Sequence, residues 1–348
     1  MVAIAFLGLS GCAAPSVAPA PEPIVRMPIQ ARVVSALDDG TSVWNLQEIH
    51  KNAFHLQSTS GERTVVAVLD TGVDPHQPDL QGRLDPLVDM IGSDRLLTGG
   101  RTISYDGIDG NGHGTHVAGI IAAVSAGTDV RILPIKVIPN SGVGDDVALS
   151  QGIERAIAWR DPADPSARVR VLNLSVSSAQ PSDRLRRAID DAIAAGLLVV
   201  AAAGNDAGPI EFPASMPQVL SVGAADSTGQ VADYSCFGDG LDVTAPGGSD
   251  DEPVYSDWPT YLTSSDYHDG VTAPHDTAGL VGTSMAAPHV SGTAAVLWTL
   301  HPNLTAQQVR AEVLGMADDM GTIGPDAHYG YGLLDFQRAF LGDQHDAH

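Results

Sequence analysis

The chain has 348 residues, with 42 Asp or Glu against 18 Lys or Arg and a formal net charge of −24. That length buries a full core, which excludes disorder as the main state, and a surface this negative repels phosphate backbones and anionic headgroups, which excludes nucleic acid as a partner. Cys12 and Cys236 are the only cysteines, so a disulfide-stapled scaffold and a cysteine zinc cluster are excluded, and no apolar run reaches the roughly 18 residues a membrane-crossing helix needs.

In chain order, residues 1–11 are almost wholly apolar or small and end Leu9-Ser10-Gly11-Cys12. The stretch resembles a bacterial lipoprotein signal peptide whose lipobox would make Cys12 the lipidated first residue. No Lys or Arg precedes it, although a positive start is the rule, so an apolar tail with an incidental cysteine stays open. Residues 12–42 carry Pro15, Pro19, Pro21, Pro23 and Pro28 among alanines, a composition that predicts an extended tether. Residues 43–341 are globular in composition, residues 342–348 form a tail, and no internal repeat is present.

Within 43–341 short apolar runs alternate with helical patterns, the signature of βαβ units. Strands are predicted at Thr64–Leu69, Arg131–Val137, Val169–Leu174, Leu197–Ala202 and Val219–Ala224. Helices are predicted at Gly114–Val124, Asp146–Trp159, Ser182–Ala195, Ser284–Leu300 and Ala306–Met316, with Ser182 as a cap, Gly196 as a stop and a Thr305–Gln308 capping box. The fold class that follows is α/β: a doubly wound, mostly parallel sheet with helices on both faces. Gly238–Gly282 lacks periodicity and is rich in Gly, Pro, Ser and Asp, so it reads as a long surface insertion.

Three segments place a reactive side chain where strand meets loop or loop meets helix. VAVLDTGVD ends a buried strand in Asp70, GNGHGTHVAG opens a helix with His113, and GTSMAAPHVSG opens an apolar helix with Ser284. Each feature alone is ambiguous, since a strand-end Asp is often a cap and a helix-start Ser usually is one. Together they supply a nucleophile, a base and a group to orient the base.

With VVAAAGNDAG between them, these motifs resemble the subtilisin family (subtilases) of serine proteases, in the Asp, His, Ser order of that family. The resemblance runs from about Val43 to Phe336 and implies a single catalytic domain of subtilisin-like fold. It also implies a serine endopeptidase that works through an acyl-enzyme. Its roles fall on Asp70, His113 and Ser284 as the triad and on Asn205 as the oxyanion-hole asparagine; His116 and His289 read as structural. Activity is then expected to fall at acid pH as His113 takes up a proton.

By the same resemblance an extended peptide adds as a strand between Gly142-Val143-Gly144 and Ser175-Val176-Ser177. Glycines usually stand where Ser177 and Ser178 are, which predicts a narrower specificity pocket. Asp145, Asp146 and Asp206 flank the inferred cleft and favour basic substrate residues unless they are simply solvated. Asp79 matches a calcium-binding aspartate of many relatives, but the segment between Val124 and Arg131 is short for the loop that completes such a site. No cofactor is required for the chemistry. The chain before the catalytic domain is also short for the family's usual prodomain, so either folding dispenses with it or the gene begins upstream. Cys236 reads as a buried structural thiol. The expected partners are polypeptide substrates and, through a lipid anchor only, a membrane; the expected state is a monomer exported to a bacterial cell envelope or secreted. Two alternatives remain open here: a non-catalytic peptide-binding lipoprotein on this fold, and, within the enzyme class, a narrow processing protease against a broad degradative one.

Overall fold

A computed structural model describes residues 26–28, 32–35, 44–49, 63–92, 96–98, 101–103, 107–262, 277–336 and 338. Residues 1–11, Cys12, most of the tether, the centre of the 238–282 segment and the 342–348 tail lie outside the described residues. The strands are β1 (Arg26–Pro28), β2 (Arg32–Ser35), β3 (Thr64–Asp70), β4 (Val88–Asp89), β5 (Leu96–Thr98), β6 (Arg101–Ile103), β7 (Val130–Lys136), β8 (Val143–Asp145), β9 (Val169–Leu174), β10 (Leu198–Ala202), β11 (Leu220–Ala225), β12 (Val243–Pro246), β13 (Val254–Asp257) and β14 (Thr277–Val281). The helices are α1 (Trp44–Glu48), α2 (His113–Val124), α3 (Asp146–Ala158), α4 (Asp183–Ala194), α5 (Thr283–Leu300) and α6 (Ala306–Gly315).

Seven parallel strands form the main sheet in the order β12-β11-β10-β9-β3-β7-β4. Side chains alternate across a strand, so a strand buried on both faces serves two cores. In β3, Val66 and Val68 enter one core while Val65, Ala67 and Leu69 enter the other. The first core is roofed by α2, α5 and α6, the second by α3 and α4, which gives the doubly wound sheet expected from the βαβ pattern. Ser182 accepts the Leu185 N–H at the start of α4, and Gly196 takes φ +85° just past its end. Thr305 and Gln308 form their capping box at α6. Among the described residues no helix is long and apolar enough to cross a membrane.

The 238–282 segment is not simply a surface insertion. It supplies β12, buried throughout, as the outermost strand of the main sheet, and β13, which pairs antiparallel with β14 in a three-stranded sheet ordered β13-β14-β2. Strands of four and five residues between Gly and Asp turns are too short to print a period in the sequence. The open edge of β12 is covered by the C-terminal chain, where Thr244 N–H bonds to Gly332 O and Leu334 N–H to Thr244 O, which removes an aggregation-prone edge.

Two pieces of the span expected as tether are also ordered. β1 pairs antiparallel with β8, Met27 facing Gly144, and β2 pairs antiparallel with β14, Leu280 facing Val33. Exposed backbone on β8 and β14 offers these segments a ladder that composition alone does not reveal.

Candidate active site

The carboxyl ends of β3, β9 and β10 and the amino ends of α2 and α5 meet along one edge of the main sheet, where open parallel sheets present their ligand sites. Asp70 is the last residue of β3 and His113 the first of α2. His113 Nδ1 donates to Asp70 Oδ1 at 2.7 Å, and both side chains are only 1% exposed. Asp70 Oδ1 also accepts the Thr71 N–H at 2.7 Å. Glycines make this approach feasible. A Cβ on Gly114 would stand 2.1 Å from Gly72 O, and one on Gly72, which has φ +106°, would stand 2.4 Å from Gly107 O.

The start of α2 needs an acceptor, because its N-cap, Gly112, has no side chain to satisfy the first amides. Asp109, wholly buried, substitutes for it. Its Oδ1 accepts from Gly112 N–H (2.8 Å), Asn111 N–H (3.0 Å) and Thr71 Oγ1 (2.8 Å), and its Oδ2 from Thr115 N–H (2.9 Å) and Oγ1 (2.7 Å). Thr71 Oγ1 in turn accepts the Gly114 N–H at 2.9 Å. One carboxylate thus ties the end of β3 to the start of α2. On the far side Lys136, opposite Asp70 in the β3–β7 ladder, donates to Thr71 O at 2.6 Å and Asn140 Oδ1 at 2.9 Å. Neither Asp109 nor Lys136 was singled out from sequence. Asp109 stands just before GNGHG, and its distance from the motif's own reactive group hid its role.

Ser284 lies in the first turn of α5. Its Oγ donates to Ser175 O at 2.9 Å, and Ser175 Oγ returns a bond to Ser284 O at 2.9 Å. The second bond has a covalent cause. Pro288 sits inside α5 and has no amide hydrogen to give the carbonyl four residues back, so the Ser175 hydroxyl supplies a donor that buried carbonyl requires. Asn173 Nδ2 donates to Ser175 Oγ at 3.0 Å, and Ser291 Oγ donates to Asn173 Oδ1 at 2.8 Å, so strand and helix are joined through four buried polar side chains. In this arrangement the Ser284 hydroxyl points to Ser175, not to His113, whose Nε2 has no hydrogen-bond partner among the described residues.

Asn205 follows β10. Its Oδ1 accepts from Thr283 N–H at 2.9 Å and Thr283 Oγ1 at 2.8 Å. An amide held by its oxygen turns its NH₂ away from Thr283, and it does so beside the amino end of α5, where the helix dipole favours negative charge.

The other histidines are structural. His116 donates through Nε2 to Val254 O (3.0 Å) and Ala278 O (3.1 Å), joining α2 to β13 and β14; burial, assisted by the nearby His113, pushes its pKa down to about 3. His289 donates through Nδ1 to Met285 O at 2.8 Å and accepts from Asn45 Nδ2 at 2.9 Å, and burial lowers it to about 4. Cys236 is fully buried and unpaired, and burial pushes its thiol up, the opposite of an activated nucleophile.

Of the expected substrate edges, Val143 is 42% exposed on β8 and faces Pro28 of β1, with Gly142 before it at φ +76° and Gly144 after it. Ser175, Val176 and Ser177 are buried, Val176 in the α3/α4 core. The flanking carboxylates divide. Asp145 caps α3, accepting from Val147 and Ala148 N–H, and Asp146 is buried against Ser182 and Arg184; both are committed to structure, so the expected bias toward basic substrates cannot come from Asp146. Asp206 is exposed. Glu211 stands outside the sequence motifs, and its carboxylate accepts a hydrogen bond from Ser177 Oγ. Asp79 is exposed in a short 3₁₀ turn, and among the described residues no three His, Cys, Asp or Glu side chains converge on a metal position there or elsewhere.

A subtilase-family (peptidase S8) model matches residues 61–332. Subtilisin Savinase of Lederbergia lenta is 35% identical over 304 residues, covering 85% of this chain and 97% of that protein. Subtilisin DY of Bacillus licheniformis is 34% identical over 311 residues, covering 86% and 98%, and an alkaline protease of Shouchella clausii is 35% identical over 304 residues, covering 85% and 69%. Nothing in these relationships supports the non-catalytic reading. Similarity of that extent, on the parallel sheet described above, places the chain in the subtilase family as a serine endopeptidase.

Proposed function

We propose that the chain cleaves polypeptides through an acyl-enzyme formed on Ser284, with His113 as general base, Asp70 as the carboxylate that orients it, and Asn205 Nδ2 with the Ser284 N–H as donors to the oxyanion. The observation that carries this reading is the buried 2.7 Å bond between Asp70 and His113 Nδ1. It fixes the ring with Nε2 as acceptor and stabilises the imidazolium formed when a serine proton arrives. Ser284 Oγ turns from Ser175 O to His113 Nε2 as it attacks the substrate carbonyl. These groups suffice for acyl transfer without a cofactor.

The substrate is an extended polypeptide laid between Gly142–Gly144 and Ser175–Ser177. Support comes from β8, which already accepts an antiparallel strand. The Leu9-Ser10-Gly11-Cys12 run supports export with a lipid on Cys12, which labelling of wild type but not Cys12→Ser with a tagged fatty acid tests. For the catalytic reading the test is Ser284→Ala. This variant should neither hydrolyse a denatured protein nor take up a fluorophosphonate probe, and retained activity overturns the assignment.

A further inference from the structure

Two lengths of chain wall the cleft beside Ser284. One leaves β9 as Ser175–Ser178 and is tied to α5 by the reciprocal Ser175–Ser284 bonds. The other leaves β10 as Ala203–Asn205 and is tied to α5 through Thr283, which bonds Asn205 Oδ1 and accepts the Gly204 N–H. A substrate paired with the first wall, with its carbonyl on Ser284 and the oxygen toward Asn205, sends the side chain on the acyl side of the cleaved bond between these walls.

Glu211 closes that slot and is bonded to both sides of it. Its N–H donates to Ala203 O at 2.8 Å, and the next residue, Phe212, exchanges two backbone bonds with Ser178, at 2.8 and 3.1 Å. The carboxylate reaches back between the walls, where Ser177 Oγ donates to it. Gly204, at φ +115°, leaves room for it: a Cβ there would stand 2.9 Å from Glu211 Cγ and 3.0 Å from Oε2. Glu211 is half-buried, has no ion pair among the described residues, and the nearby Arg186 stacks on the Phe212 ring instead. Ser177 and Glu211 therefore form a hydroxyl–carboxylate pair at the end of a slot whose walls supply no cation. A partly desolvated carboxylate favours a cationic partner over a neutral one.

Resting on the serine-protease reading above, we propose that Glu211 makes this enzyme select Arg or Lys on the acyl side of the bond it cleaves. The substrate's guanidinium or ammonium supplies the counter-charge the slot lacks, and Ser177 holds the carboxylate at the depth where a long basic side chain reaches it. Acidic residues at that position are repelled by the same carboxylate.

The test uses peptides that differ only at that residue, carrying Arg, Lys, Gln, Leu or Glu. Wild type should show kcat/KM for Arg and Lys about 10–100-fold above Gln and Leu, the range that one well-matched pocket interaction supplies. Glu211→Gln should lower the Arg-to-Leu ratio by about the same factor, mainly through KM. Peptide aldehydes ending in Arg or Leu, competed against fluorophosphonate labelling, read the same preference without requiring turnover. A wild-type preference for Leu, or a Glu211→Gln variant that slows every peptide alike, overturns the proposal while leaving the serine-protease reading intact. No labelling and no hydrolysis by wild type overturns both.

Discussion

Thr283 holds the Oδ1 of Asn205 with two donors at once, its amide at 2.9 Å and its hydroxyl at 2.8 Å. The side chain is thereby aimed before any substrate arrives, which is what makes a donor effective toward developing charge. Asn205→Asp keeps both acceptor bonds and replaces the outward NH₂ with oxygen. It should lower kcat by about 10²–10³, the cost established for such a donor in a subtilisin, with KM changed only slightly. Steady-state kinetics with a chromogenic peptide decide it; an undiminished kcat removes Asn205 from the oxyanion site.

Gly114→Ala tests the close approach of α2 to β3. The new methyl would meet Gly72 O at 2.1 Å and the Asp70 side chain at 3.2 Å, so α2 must move away and carry His113 with it. A displacement on the order of 1 Å costs about 10²-fold in rate, and the strain is worth about 1–3 kcal/mol. Kinetics and urea denaturation of the same sample measure the two effects, and a fully active, equally stable variant contradicts the account.

His116 and His289 make stability depend on pH. Their folded pKa values, about 3 and about 4, lie below the ordinary 6.5, so the unfolded chain binds protons that the folded one refuses. The contribution is complete above about pH 6.5 and is lost as pH falls from there toward about 4 for His289 and about 3 for His116. Between pH 6.5 and pH 5 each histidine costs about 2 kcal/mol. His289→Gln removes one titrating group, so wild type should lose about 2 kcal/mol more than the variant over that interval. Denaturant titrations at the two pH values provide the comparison, and equal losses refute it.

β1 lies on the backbone edge proposed for the incoming peptide, pairing Arg26, Met27 and Pro28 with Asp145, Gly144 and Val143. A variant beginning at Ile29 should bind peptides better, with KM lower by about tenfold or less, because no strand has to be displaced. Progress curves of the two forms, each checked by mass, show the effect, and an unchanged KM means the strand and the substrate use different edges.

Legibility in the sequence followed the strength of the local signal. β3, β9 and β10 were readable because strands buried on both faces are continuous apolar runs, and α4 and α6 because Ser182 and Thr305 mark their starts. β12, β13 and β14 were not, since strands of four or five residues between Gly and Asp turns carry no period and owe their stability to neighbours far along the chain. In the site, Asp70, His113, Asn205 and Ser284 stand in dense motifs. Asp109 and Glu211 do not, because an acidic side chain acquires a role only from what folding sets beside it. Asp146 shows the converse: it follows the predicted edge in sequence, yet its carboxylate is buried against Ser182 and Arg184.

Pro288 makes strand β9 the gauge that sets how deep the nucleophile sits. An uninterrupted helix would satisfy this carbonyl itself and offer Ser175 no acceptor, whereas the amide missing at Pro288 lets Ser175 pin one point of α5 to the residue that follows β9. Ser175→Ala should cost about 1–3 kcal/mol by removing the hydroxyl donor from that buried carbonyl, and much less in a Pro288→Ala background, where the restored amide takes its place; additive losses would show that the two positions are unconnected. With the pin in place, Ser284 and the wall that carries Ser177 travel as one piece. On the roles proposed for Ser284 and Ser177, reactivity and choice of substrate then share this joint.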